Sequence, residues 1–205
     1  LGEFAPDGFL VEARALAEQR IGRRDELAQL KAWIKRRDPR TAETARVGWL
    51  QGGPGLGKSM LVAALAADLA NAPAARQGLY YHRFRAGDAR CSRHAFLRLL
   101  QATLAEWGPL REVTARPGEA VSEGAPLLDD VRARLSQVAA LPPARGSTPP
   151  RFVLLVDGLD EVAGADPELP ALLRELALPG VLLVAAGRAE HGLEGVFAGP
   201  GCEPI

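Results

Sequence analysis

The chain has 205 residues, 47% hydrophobic and 24% charged, with 25 basic and 25 acidic side chains. Such a length holds one ordinary domain, and high apolar content at zero net charge excludes a disordered chain. The longest unbroken apolar run, Met60–Ala67, is far too short to span a bilayer.

The charge balance is uneven: residues 1–102 carry 17 basic and 10 acidic side chains, and residues 103–205 carry 8 and 15. A polyanion binder charged over its whole surface is thereby disfavoured. Only Lys31, Lys35 and Lys58 are lysines, and with abundant Ala, Gly and Pro this points to a GC-rich bacterial coding sequence. Leu1-Gly2-Glu3-Phe4 has neither an initiator Met nor the basic and apolar regions of a signal peptide. The expectation is a piece of a longer, cytoplasmic protein. Cys91 and Cys202 are too few and too distant for a disulfide scaffold or metal knuckle.

Helical spacing runs from about Gly8 to Gln19, and again from about Arg24 to Arg37, where Leu27, Leu30, Trp33 and Ile34 share a face. Asp38-Pro39 ends the second helix. Val47–Gln51 reads as a buried strand running into a glycine-rich loop and an Ala/Leu-rich helix that reaches about Ala70. A strand at Gly78–Arg85 and a helix at about Ser92–Trp107 follow. Residues 108–125, rich in Pro, Gly and Glu, read as a surface excursion. Then come a helix at Leu127–Ala140, a Pro-rich loop to Pro150, a strand at Arg151–Val156, a short helix at about 167–178 and a strand at Val181–Ala186. The tail beyond Glu190 predicts no element. Strands alternating with helices mean an α/β fold with a parallel sheet. The boundary falls after residue 45, with an N-terminal helical segment before it and the core at 46–205.

Gly52-Gly53-Pro54-Gly55-Leu56-Gly57-Lys58-Ser59 matches G-x-x-x-x-G-K-[ST] without a mismatch, with a strand before it and a helix, opened by Met60, after it. Its glycines let successive N–H groups turn inward around a phosphate chain. Lys58 adds a cation and the helix dipole favours anions. The Ser59 hydroxyl is a candidate ligand of Mg²⁺. Its partner is the strand ending in Asp157, the carboxylate that a P-loop NTPase needs for the metal shell. Many P-loop ATPases place a water-orienting Glu directly after that Asp. Here the position is Gly158, and the acids Asp160 and Glu161 come three and four residues on. Both are candidates for water positioning, against the blander role of capping the next segment. Arg188, closing the next strand, stands where such a sheet meets its nucleotide and is a candidate sensor of the terminal phosphate.

The segment Ile21-Gly22-Arg23-Arg24-Asp25-Glu26-Leu27 resembles the hydrophobic-Gly-Arg-x-x-Glu-Leu opening of STAND-class signalling NTPases. The box Asp157-Gly158-Leu159-Asp160-Glu161 is similar to that of their NACHT branch, as is Tyr80–Asp88 to the second strand of bacterial NACHT proteins. The likeness covers roughly residues 20–190. It implies a three-layer P-loop NTPase core of the ASCE/AAA-like kind, with Ile21, Gly22 and Arg23 on the adenine side of ATP or ADP. It implies a slow ATPase acting as a switch, self-association through the core, and sensor and effector domains elsewhere in the full protein. Defence or stress signalling in bacteria is the setting that it implies. One departure is Ala186-Gly187-Arg188-Ala189, where the family often has Thr/Ser-Ser-Arg-Pro. The family's fifth strand, helical lid and winged-helix domain would begin near residue 200, so the core reads as truncated before them.

Two other readings stay open: an AAA+ ATPase that remodels DNA or protein, and a small-molecule P-loop kinase. Gly158 counts against the first, and the 45 or so residues before the phosphate loop against the second. No guanine-recognition box is present, which favours ATP over GTP. Lys31, Lys35, Arg36 and Arg37 read as a solvated helix face, because no aromatics interleave them as a nucleic-acid platform requires. His82, His94 and His191 lack metal-ligand spacing and read as structural or solvated.

Overall fold

The strand at Val47–Gln51 (β1) lies between a strand at Val181–Gly187 (β4) and one at Cys202–Pro204 (β5), both parallel to it. Strands Gln77–Arg83 (β2) and Arg151–Asp157 (β3) complete a five-stranded, all-parallel sheet in the order β2-β3-β4-β1-β5. The computed structural model describes residues 8–18, 22–41, 45–71, 77–114, 126–142 and 151–205. Ile21 and the loop at 143–150 therefore lie outside the described residues.

β3 and β4 are almost wholly buried, as expected of central strands covered on both faces. The order places β4 between the strand that feeds the phosphate loop and the strand that carries Asp157. The helix Lys58–Ala70 (α3) connects β1 to β2 and packs on β2, β3 and β4. Seven consecutive residues, Leu61–Ala67, are buried, because the helices Gly8–Glu18 (α1) and Arg24–Arg36 (α2) cover its far side. A helix apolar all round is stable only when enclosed in this way. The connections from β2 onward cross the sheet in the opposite sense, and right-handed crossover puts them on its other face. They comprise Arg93–Glu106 (α4), Gly108–Thr114 (α5), Leu127–Gln137 (α6), Asp160–Ala163 (α7), Leu169–Glu175 (α8) and Leu193–Phe197 (α9). Ser92 starts α4 by accepting the Ala95 N–H at 3.1 Å. In α9 Phe197 stacks on Trp49 of β1, ring centroids 4.6 Å apart.

Two regions differ from expectation. The stretch expected to be an excursion begins with α5, anchored on α4 by the buried Leu110, with Pro109 in its first turn where proline is tolerated. The fifth strand, expected to be missing, is present as β5. Three residues carry no periodicity, and Pro204 is tolerated only because the strand is at the sheet edge. β5 is held by Ile205 N–H donating to Trp49 O at 3.1 Å and by Glu203, which accepts from Trp33 Nε1 and pairs with Arg37. Among the described residues no helix is long and apolar enough to cross a membrane.

Candidate nucleotide site

β1 delivers the loop Gly52–Gly57, and α3 begins at Lys58. Gly55 and Gly57 take φ of 73° and 75°, left-handed values that glycine adopts without cost. Lys58 Nζ donates to the carbonyls of Gly52 at 2.6 Å and Gly53 at 2.9 Å, which fastens the ammonium across the loop. Pro54 through Met60 line one wall of a cleft of about 390 Å³. Opposite them stand Arg83, Phe84 and Arg85 from the end of β2, Asp157, Gly158, Asp160 and Glu161 after β3, and Arg188 after β4. The carboxyl ends of parallel strands thus converge on the phosphate loop, as ligand sites of such sheets do.

Asp157 is buried, and Ser59 lines the same cleft from the opposite wall. Burial pushes its carboxyl above the usual range, while Ser59, the Arg83 guanidinium and the Gly158 N–H pull it back down. Its Oδ2 has no hydrogen-bond partner among the described residues. An orphaned, buried carboxylate oxygen beside a hydroxyl is a hard-oxygen donor set, and it fits a divalent cation.

Gly158 has φ of 74°, and a Cβ built on it would sit 2.2 Å from the Phe84 carbonyl oxygen. β2 passes too close for a side chain here, which is the physical reason that this position carries no glutamate. The displaced acids are not equivalent. Asp160 is turned to Arg188: Oδ1 accepts the Arg188 N–H at 3.1 Å and Oδ2 lies 3.2 Å from its Nε. Glu161 is on the cleft wall, and its carboxylate makes no ion pair among the described residues. The unusual Gly187 is also explained, because a Cβ there would press on the Trp49 ring at 3.1 Å and on Asp160 Oδ1 at 3.2 Å.

Gly22 and Arg23 both have positive φ, 75° and 55°, and Arg23 immediately precedes α2 without a side-chain capping bond. Arg23 Nε would lie 3.6 Å from a Cβ on Gly57, so the Gly-Arg segment abuts the phosphate loop. A second cleft, about 490 Å³, opens there between Arg23, Leu30, Trp33, Leu50, Leu61 and Ile205. The expected site residues from 22 onward are thus brought together around one loop. Arg83 and Arg85 were not expected in the site; their position at the exit of a parallel strand was the signal.

The two described histidines of the β2–α4 region differ in burial. His82 is buried, bridging the Tyr80 hydroxyl at 2.7 Å and the Arg90 carbonyl at 3.2 Å, and burial holds it down to about 3. His94 is exposed.

Residues 26–180 match the family described as Nephrocystin 3, N-terminal, which is most of the chain. Among solved structures, PCH-2 of C. elegans is similar over 95% of this chain and 46% of that one, with a TM-score of 0.50 and 14% identity. That likeness concerns the fold, and the chain spans about half the length of the worm protein. No curated protein matches. Family, sheet order and phosphate loop agree: the chain is a P-loop, AAA+-like NTPase fold and belongs to the nephrocystin 3 N-terminal family.

Proposed function

We propose that this chain is the nucleotide-binding core of a NACHT-type STAND switch, taking ATP or ADP with Mg²⁺ and hydrolysing ATP slowly. The observation that carries the reading is the buried Asp157 carboxylate, one oxygen orphaned, across one cleft from Ser59 and a complete phosphate loop. The backbone N–H groups of Gly52–Met60 other than Pro54, which has none, bind the phosphates, and Lys58 neutralises them. Ser59 and Asp157 would hold Mg²⁺, which when bound would neutralise phosphate charge. Glu161 orients the attacking water, while Asp160 holds Arg188, which reads the terminal phosphate. Gly22 and Arg23 lie on the adenine side, where the second cleft offers apolar walls.

Gly158 supports a switch over a fast motor, since it leaves the usual site of the catalytic glutamate without a side chain. In the full protein the core at 46–205 would be followed by a helical lid and a winged-helix domain, with nucleotide exchange controlling self-association. Defence or stress signalling in a bacterium is the setting that the motif resemblance supports. Equilibrium binding of ADP and ATP to Lys58→Ala tests the site. Loss of both is the expected result, and retained tight binding overturns it.

A further inference from the structure

A chain of ion pairs ties α1 to the floor of the cleft. Arg83 closes β2 and stands opposite Asp157 in the β2–β3 register. Its guanidinium lies between two carboxylates. Nη1 is 2.9 Å from Glu12 Oε1 on α1, a hydrogen bond, whereas Nε is 3.6 Å from Asp157 Oδ2, too long for one. Arg83 is therefore committed to Glu12, and the Asp157 oxygen is left orphaned. The other Glu12 oxygen reaches Arg90 at 3.4 Å, and Arg90 covers the Phe9 ring at 4.2 Å. Phe9 is itself buried against Tyr81 and His82. Phe9 docks α1, and Glu12 aims Arg83.

A guanidinium and a divalent cation compete for the same buried oxygen, because two positive charges at one low-dielectric site repel strongly. We propose that Arg83 is a positioning residue coupling α1 to the metal site. With α1 docked, Glu12 draws Arg83 aside and Asp157 accepts Mg²⁺. With α1 undocked, Arg83 falls back on Asp157 and closes the site to the cation. Linkage makes this reciprocal, so metal–nucleotide binding also favours the docked helix. The proposal rests on the nucleotide reading above.

The test is binding of a fluorescent ATP analogue, first in EDTA and then at stepped Mg²⁺, for the wild type, Glu12→Gln, Arg83→Gln and the double variant. In Glu12→Gln the affinity in EDTA is unchanged, and the Mg²⁺ concentration giving half of the metal's effect rises about fivefold or more, the scale of a modest allosteric coupling. Arg83→Gln moves that midpoint the opposite way, and the double variant behaves as Arg83→Gln. Tryptic cleavage at the exposed Arg14 of α1 slows when Mg²⁺ and nucleotide are added to the wild type. An unmoved midpoint in Glu12→Gln, a shift of the same sign in both single variants, or a Glu12 effect that survives without Arg83 each overturns the coupling. A wild type that binds no nucleotide under either condition instead sinks the nucleotide reading, and the coupling with it.

Discussion

Asp160 grips Arg188 twice, through the backbone N–H at 3.1 Å and the guanidinium Nε at 3.2 Å. The side chain of Asp160 is only 8% exposed and that of Arg188 39%, so a buried acid anchors a cation that reaches towards solvent at the cleft. One acid of the displaced pair is thus occupied in aiming a cation, and Glu161 is left to face the cleft.

The two acids should separate kinetically. Glu161→Gln is expected to lower ATP turnover about a hundredfold, the lower range for a general base, with ATP affinity little changed. Asp160→Asn keeps an acceptor for the Arg188 N–H but loses the charge, so the preference for ATP over ADP narrows while ADP binding holds. Single-turnover hydrolysis and paired equilibrium titrations measure both effects; equal losses in the two variants would contradict the division of roles.

Gly158 permits no side chain. Gly158→Ala would place a left-handed alanine against the Phe84 carbonyl and is expected to cost about 2 kcal/mol or more. In a domain of this size each kcal/mol lowers Tm by about 2–4 °C, so a melt of about 4 °C or more below wild type is the result to look for. Gly158→Glu, which restores the glutamate common in other P-loop ATPases, should destabilise the fold further and fail to speed hydrolysis.

The buried His82 makes the fold sensitive to acid. Its pKa falls from 6.5 to about 3 through burial, so the folded state binds this proton more weakly than the unfolded chain does. Its contribution is complete above pH 6.5 and is lost as pH falls towards 3. Urea melts from pH 7 to 4 should show the decline, and His82→Gln should flatten it.

The local motifs were legible in the sequence because each is contiguous. The phosphate loop sits between an apolar strand and an apolar helix, and Asp157 ends an unbroken hydrophobic run. Boundaries of β1, α2 and α3 follow from the same patterns to within a residue or two. What could not be read depends on contacts between distant positions. Arg83 meets Glu12 across 71 residues, and the demand for glycine at 158 comes from the backbone of a neighbouring strand. β5 is three residues long and is defined only by its pairing with β1. The split between Asp160 and Glu161 depends on where Arg188 lands after β4, which no spacing encodes.

The most direct test of the central claim is to denature the purified full-length protein and identify the released nucleotide by chromatography. ADP at close to one per chain is the predicted result, the mark of a resting switch with a closed site. An empty site together with brisk steady-state ATP turnover would contradict the account and assign the core to a working motor.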